Sequence, residues 1–289
     1  MKKRIIAGLV LLVLAIGICL YPLVSNFLSE KYMSIAEARH NKEIAMMDDR
    51  ELQLMRQLAE QYNATLVPGA SGELRFTQAA LQQASENYEA LLNIRGDGIM
   101  GYVSVPKIDV ELPIFHGTGE ESLNRGAGHL LGSSLPVGGA SSHSVITAHS
   151  GLAGQRMFSD LSELEAGDVF YLHVLGERMA YMVREINTVL PEDTSKLSIQ
   201  PGQDMCTLVT CTPYGINTHR LMVHSLRIAE EDAEAIIETK MQSEAETFST
   251  WENEYLKGLG VGMLVLLAGG VLFELKRIRP GKRGRRESR

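Results

Sequence analysis

Residues Thr207-Leu208-Val209-Thr210-Cys211 and Thr212-Pro213-Tyr214-Gly215-Ile216-Asn217-Thr218-His219-Arg220-Leu221 follow one another as strand, turn and strand. Pro213 and Gly215 interrupt the β-rich pattern and predict the turn between the strands. If the strands pair across this turn, a thiol at the end of the first and a guanidinium at the start of the second can meet. The pair Cys211 and Arg220 is therefore the first candidate for chemistry.

The alternation of side chains along a strand gives the two cysteines of this region different surroundings. Cys211 shares a face with Thr207 and Val209, whereas Cys206 lies on the opposite face and is expected to be a small core residue. Their separation along a strand is roughly 16 Å, far above the ~7 Å limit for a disulfide. Since the third cysteine, Cys19, lies in an apolar run, the sequence predicts a free thiol with a use.

Nucleophilic attack by a thiol requires a nearby cation or imidazolium that favours the thiolate. Arg220 could supply positive charge or stabilise an oxyanion, although taken alone it also fits a salt-bridged surface arginine. His149 directly follows the predicted strand Ser144–Ala148, just before a glycine turn. It therefore stands at a strand end, as Cys211 does. His219 and His224 are the competitors, and His129 and His143 lie in Gly- and Ser-rich segments that suit ordinary surface residues.

A zinc site is the metal alternative, because Cys206, Cys211, His219 and His224 superficially resemble a ligand set. The central spacing is shorter than in zinc fingers, and the two thiols point to opposite faces of a strand. The sequence therefore predicts no resident metal and no cofactor.

The charge distribution argues against nucleic acid as a partner. The net charge of the 289 residues is -7, with +3 in residues 1–4 and +7 in residues 276–289, which leaves -17 for the rest. A body this acidic does not suit phosphate contacts.

Both ends of the chain predict membrane anchors. A basic start and an apolar run suggest an uncleaved signal anchor over residues 1–28; a cleaved signal peptide is the alternative, but no convincing cleavage site follows. A second membrane helix is predicted over 257–275, followed by a basic tail, 276–289. A cell-wall sorting signal would need a Leu-Pro-x-Thr-Gly-like pentapeptide, which Phe248–Lys257 lacks. The positive-inside rule then puts both termini in the cytoplasm and the body outside a two-pass cell-membrane protein.

Between the anchors we predict three regions. Residues 29–99 form a helical extension, with Leu52, Met55, Leu58 and Ala59 at helical spacing, a loop at Thr65–Thr77 and a further helix at Gln78–Ile94. Residues 100–228 contain short strands joined by turns and one helical insert, Met157–Leu164, which indicates a β-barrel or sandwich. Residues 229–256 form an acidic helical stalk.

The segment ending in Cys211 resembles the Thr-Leu-x-Thr-Cys motif of sortases, with Arg220 where the sortase arginine is expected. Similarity to the pilus-assembling class C subgroup extends over about Met100–Ile228, and four further segments carry it: Pro213–Leu221, Gly101–Lys107, Leu112–Thr118 and Gly128–Gly139. The resemblance implies a mainly β fold, an eight-stranded sortase-type β-barrel with an N-terminal helical extension and two terminal transmembrane helices. It also implies His149 as catalytic histidine, Cys211 as nucleophile and Arg220 as essential arginine.

The implied function is a cysteine transpeptidase that cleaves an LPXTG-like signal between Thr and Gly and joins the acyl product to a pilin lysine. Its partners would be pilin subunits with such signals, the lysine acceptor and membrane lipid. Two departures stand out: the Asp-Pro-aromatic lid triplet of class C enzymes is absent, and Ser150 follows His149 where the subgroup usually has arginine. A housekeeping sortase that uses cell-wall peptide, a hydrolytic cysteine peptidase and a non-enzymatic scaffold with a buried Cys211 are the alternatives.

Overall fold

Eight strands close into a barrel in the computed structural model, which describes residues 2–66, 87–152 and 154–240. The order around the barrel is β1-β2-β3-β4-β7-β8-β6-β5. In chain order the strands are β1 Ile99–Val105, β2 Val110–His116, β3 Ala127–His129, β4 Ser142–Thr147, β5 Val169–Val174, β6 Glu177–Val189, β7 Asp204–Thr212 and β8 His219–Arg227. The predicted mainly β, eight-stranded barrel is confirmed.

The barrel is filled by alternate residues of its strands, as a period of two requires. Strand β7 contributes Cys206 and Leu208 to this core, and both have no exposed surface. Thr207 and Val209 project to the opposite face of the same strand, where Val209 joins a separate apolar cluster. Because β7 lies between β4 and β8, the end of β7 is flanked by both neighbours.

Two long helices precede the barrel: α1, Lys2–Met46, and α2, Asp49–Leu66. Helix α2 packs on the barrel through Ala59, Tyr62 and Asn63, which are buried, and through the partly buried Leu52 and Met55. The expectation that Leu58 shares this apolar face is wrong, since that side chain is 42% exposed. The helical stripe therefore continues along 55, 59, 62 and 63.

The structure differs from the sequence-based predictions at four places. The expected helix Met157–Leu164 is reduced to a 3-10 turn at Leu161–Glu163, and the described end of the expected helix Gln78–Ile94 holds only a 3-10 turn, Tyr88–Ala90. The short strand β3 and the helix α3, Glu120–Arg125, were not predicted. Positive φ angles at Asn87, Leu92 and Met157 break helical continuity at these places.

The predicted ends of the chain are described only in part. Helix α1 covers the predicted N-terminal anchor as one continuous element, and residues 230–240, at the start of the predicted stalk, are helical. Within the described residues, none of the helices combines the length and the apolar character that crossing a membrane requires. The predicted anchor 257–275, the tail 276–289 and most of the predicted loop Thr65–Thr77 lie outside the described residues, and Thr65 and Leu66 belong to α2.

Candidate active site

The antiparallel pairing of β7 and β8 puts the predicted thiol and guanidinium opposite each other. Cys211 and Arg220 are direct partners in the register, and Thr212 pairs with His219 next to them. Directly opposed residues on one face of an antiparallel pair have Cβ atoms roughly 5 Å apart, within reach of a long arginine side chain. The predicted pairing of the two strands across the turn is confirmed, and it makes Cys211 and Arg220 register partners.

The Arg220 guanidinium is held by backbone carbonyl groups. Its Nη1 donates to the carbonyl oxygens of His219, at 3.1 Å, and Asn217, at 3.3 Å. Among the described residues, no carboxylate forms an ion pair with it. Within the part of the chain that the structure describes, the guanidinium therefore bonds to backbone oxygens, and it keeps donors for a further acceptor.

His149 lies beside Cys211 because β4 and β7 are parallel neighbours. The register pairs Thr147 with Val209, so two residues further along each chain His149 reaches the level of Cys211. The Ala148 amide donates to the Val209 carbonyl at 3.1 Å, which continues the ladder past the end of β4. The register of the three neighbouring strands thus places the backbones of His149, Cys211 and Arg220 side by side.

Hydrogen bonds also fix the turn that follows His149. The carbonyl of His149 accepts from the Phe158 amide at 3.0 Å, and the Gly151 amide donates to Ser159 Oγ at 3.1 Å. Gly151 has a φ of 77° and lies against the Tyr214 ring of the β7–β8 turn, where a Cβ would come within 3.5 Å of the ring carbons. The loops beside His149 and Cys211 therefore contact each other.

The β7–β8 turn presents apolar side chains to solvent next to the thiol. The Pro213 carbonyl accepts from the amides of Ile216 and Asn217, both at 3.0 Å, which closes the turn tightly. Tyr214 and Ile216 are each 67% exposed. Large apolar groups held outward by a hydrogen-bonded turn suit contact with another chain.

An apolar cluster on the outer face of the barrel includes the residue two positions before Cys211 and the residue two positions after Arg220. Its buried members are Val145, Leu197, Val209 and Met222, with Leu130 and Val189 packed against them. The apolar cluster thus lies next to the reactive pair along both strands.

The second thiol of β7 has the surroundings predicted for it. Cys206 has no exposed surface, and burial raises the pKa of its thiol well above the usual value, whereas Cys211 is partly exposed. The scaffold alternative, which required a buried Cys211, is therefore wrong on this point. Within the described residues, no cluster of three or more His, Cys, Asp or Glu side chains could hold a metal ion.

The expectation that His129 and His143 are surface residues is wrong. Both are fully buried, and burial lowers the pKa of each to about 4. His129 Nε2 donates to the Ser134 carbonyl at 2.8 Å, so its Nδ1 accepts from the Tyr88 hydroxyl, also at 2.8 Å. Neutral imidazoles with satisfied nitrogens are structural groups rather than exposed acids or bases.

His143 belongs to a buried chain of polar groups that also contains His224. His143 Nδ1 lies 3.1 Å from the Ser198 carbonyl, and its Nε2 lies 2.7 Å from Thr207 Oγ1. Thr207 Oγ1 in turn lies 2.9 Å from His224 Nδ1, so His224 bonds within the barrel. His219, the remaining competitor, bonds to its neighbour Thr218 at 3.0 Å. His149 is the candidate histidine that the strand register brings level with Cys211.

Comparisons with known proteins identify the family of this barrel. The Sortase domain family matches residues 103–228, which include all three candidate residues. A sortase C of Streptococcus pneumoniae is 42% identical, covers 67% of this chain and 96% of its own, and superposes with a TM-score of 0.59. The chain belongs to the sortase family. Sortase homologues are cysteine transpeptidases, and the solved structures that match here are sortases of class C.

Two further relatives define how far the similarity extends. Sortase C1 of Streptococcus agalactiae is 41% identical, with 68% of this chain and 98% of its own chain covered and a TM-score of 0.63. Sortase A of the same species is 32% identical over 130 residues, which are 44% of this chain and 52% of that protein. The chain thus spans about half the length of this curated relative.

Sequence reasoning missed two hydroxyl groups at the site. Ser150 Oγ donates to the Cys211 carbonyl at 2.7 Å, and Thr210 Oγ1 donates to the Ala148 carbonyl at 2.8 Å. The register of two strands that are distant in sequence creates both bonds, so local pattern could not show them. The serine after His149, where the class C subgroup usually has arginine, was the available signal.

Proposed function

We propose that this sortase is a membrane-anchored transpeptidase that cleaves an LPXTG-like sorting signal between Thr and Gly and transfers the acyl product to a pilin lysine. The convergence of His149, Cys211 and Arg220 at three adjacent strand ends is the observation that carries the proposal. A thiol, an imidazole and a guanidinium are sufficient for acyl transfer without a metal or cofactor.

The reaction has two steps, formation of a thioester on Cys211 and transfer of the acyl group to an amine. Cys211 Sγ, as thiolate, attacks the Thr carbonyl carbon; the C–N bond to Gly then breaks, and His149 gives a proton to the leaving amine. In the second step the lysine amine attacks the thioester carbon, its proton passes to His149, and Cys211 leaves as thiolate when the amide bond forms. Arg220 donates to the substrate and to the oxyanion of both tetrahedral intermediates.

The apolar cluster beside Cys211 supports a sorting signal as donor. Val209 and Met222 precede and follow the reactive pair along their strands, and Leu197 covers them from the β6–β7 connection. A Leu-Pro pair upstream of the scissile Thr would lie against such a surface. The exposed Tyr214 and Ile216 lie on the neighbouring turn, where the acceptor protein must approach.

The assignment to pilus assembly rests on the class of the structural relatives. The matched structures are sortases C, and that of the Streptococcus pneumoniae enzyme is described in terms of its pilin substrate specificity. By analogy the partners here are pilin subunits and their lysine amine, with membrane lipid around two anchors at 1–28 and 257–275. The catalytic domain would face outward, with both termini in the cytoplasm.

The predicted loop Thr65–Thr77 differs in sequence from the lid segment of class C enzymes. The connection after α2 begins within the predicted segment 65–77, which lacks the Asp-Pro-aromatic triplet of class C enzymes. Phe76 is its one aromatic residue. Apart from Thr65 and Leu66, this loop lies outside the described residues.

The two thiols of β7 provide a matched test. The full chain in detergent is mixed with an LPXTG-type peptide, and the covalent adduct is sought by mass spectrometry. Cys211→Ala should abolish the thioacyl adduct and all amide product, because the nucleophile is removed. Cys206→Ala should retain both, because that thiol lies in the barrel core.

The choice of amine acceptor in the same assay distinguishes pilin polymerisation from cell-wall anchoring and from peptide hydrolysis. Formation of covalent pilin polymers supports the proposed function, whereas transfer only to a cell-wall peptide amine supports the housekeeping role suggested by the similarity to sortase A. Hydrolysis without amide product in the presence of either amine would indicate a peptidase. An active Cys211→Ala variant would exclude the mechanism altogether.

A further inference from the structure

Two hydroxyl groups connect the histidine segment to the cysteine strand in a reciprocal manner. Ser150, the residue after His149, donates to the carbonyl of Cys211 at 2.7 Å. Thr210, the residue before Cys211, donates to the carbonyl of Ala148 at 2.8 Å. Each bond therefore joins a direct neighbour of one candidate catalytic residue to the backbone at the other.

These bonds lie where the parallel ladder between β4 and β7 would continue. The Ala148 amide donates to the Val209 carbonyl, which is the last backbone rung identified there. In an ideal parallel ladder the next two acceptors would be the carbonyl groups of Ala148 and Cys211. Both of these carbonyl groups accept from side-chain hydroxyls, so the strands stay in register for about three residues beyond the end of β4.

Burial strengthens the contribution of these two hydrogen bonds to the local structure. Ser150 is 8% exposed and Thr210 is 3% exposed, so water competes poorly for either hydroxyl. The bonds end on backbone carbonyls and act on the position of the chain, not on the reacting atoms. An error of about 1 Å in the relative position of reacting groups is enough to slow an enzyme about a hundredfold.

We infer that Ser150 and Thr210 are positioning residues for acyl transfer: their hydroxyls hold the backbone of His149 at a fixed level beside that of Cys211. This inference rests on the proposed function, since it assigns the pair a task in that reaction. Ser150 occupies the position where the class C subgroup usually has arginine, and in this chain its short hydroxyl joins the histidine segment to Cys211.

The test compares variants with and without each hydroxyl in the full chain in detergent. Ser150→Ala and Thr210→Val should lower kcat for amide formation about tenfold and leave KM for the LPXTG-type peptide within about twofold, because positioning acts on the reacting geometry. Ser150→Thr and Thr210→Ser keep a hydroxyl and should recover most of kcat. A structural role alone would not give this split or this recovery.

Ser142 provides the matched control. Its hydroxyl is also buried and donates to a backbone carbonyl, that of Gly139, at 2.6 Å, but at the opposite end of β4. Ser142→Ala should lower the melting temperature about as much as Ser150→Ala and leave kcat unchanged. A wild-type kcat in Ser150→Ala and Thr210→Val, or a loss of kcat equal to that of Ser142→Ala, would overturn the inference.

A second readout separates this inference from the proposed function. If the wild-type chain forms no amide product, the proposed function fails, and the reaction of Cys211 with iodoacetamide, followed by mass spectrometry of its peptide, still tests the positioning. Ser150→Ala and Thr210→Val should change the rate constant for this alkylation about threefold or more, and Ser142→Ala should not. Equal rate constants in all variants would overturn the inference.

Discussion

Arg220 differs from two other arginines of the barrel in what its guanidinium binds. Arg178 and Arg227 pair with carboxylates, those of Glu230 and Glu234 for the first and of Glu177 for the second. Arg220 bonds only to carbonyl oxygens among the described residues, although its register partner is Cys211. An arginine held by neutral acceptors keeps its charge uncompensated for an incoming oxyanion.

The first prediction concerns the geometry of this cation. Arg220→Lys should lower kcat/KM by at least about a hundredfold, close to the effect of Arg220→Ala, because an ammonium cannot reproduce the planar fork of donors. Steady-state kinetics with a sorting-signal peptide measures this. Arg184→Lys, at an exposed position on β6, is the control and should keep wild-type kinetics. Full activity in Arg220→Lys would mean that charge alone suffices.

At the level of single residues, the sequence motif and the alternation of side chains along the strands predicted the candidate site residues. They did not predict the hydrogen bonds that fix the surrounding structure. The pairing of Cys211 with Arg220 followed from one short turn, and the burial of Cys206 followed from strand alternation. The burial of His129 and His143 depends on partners far away in sequence, Tyr88 and Ser198 among them. A Gly- and Ser-rich context therefore misled the prediction for both histidines.

Among the elements, helix α2 is attached to the barrel by a buried amide. Asn63 Oδ1 accepts from the Leu135 amide at 2.7 Å, and its Nδ2 donates to the Leu135 carbonyl at 3.1 Å. The side chain thus pairs with the backbone of the segment between β3 and β4 as a strand edge would. A polar residue within the apolar stripe of α2 was the sequence signal for this contact, and periodicity alone could not identify its partner.

The second prediction is that this amide stabilises the docked helix. Asn63→Ala should lower the free energy of unfolding by about 2–3 kcal/mol, because it leaves a buried N–H and a buried C=O of Leu135 without partners. Urea denaturation measures the loss, and faster hydrogen exchange at the Leu135 amide locates it. Asn41→Ala removes an exposed bond to Glu37 on α1 and should change stability little. Equal effects of the two substitutions would contradict the assignment.

For the whole molecule, the order of strands in the barrel explains how a site can form from residues that are far apart in sequence. Parallel β4 and antiparallel β8 flank β7, so residues near 149, 211 and 220 converge once the strand order is set. The strand pattern predicted the barrel, but the inserted turn at 161–163 and the short β3 depend on packing, not on propensity. Closure also buries several imidazoles, which makes stability depend on pH.

The third prediction follows from those imidazoles. Burial lowers the pKa of His129 and His143 to about 4, against an ordinary value of 6.5, so the unfolded chain binds protons in this window and the folded chain does not. The contribution of these two groups to stability should be constant well above pH 6.5, fall as the pH decreases toward 4, and level off below that value. The loss is on the order of 3 kcal/mol for each at the acid limit.

Urea unfolding at a series of pH values tests this dependence. His129→Gln and His143→Gln should each flatten the slope of unfolding free energy against pH between about 4.5 and 6.5, even though each variant loses stability at neutral pH. Asn63→Ala removes a buried side chain that does not titrate and should keep the wild-type slope. An unchanged slope in both buried variants would mean that these histidines take up protons in the folded state, which their position inside the closed barrel opposes.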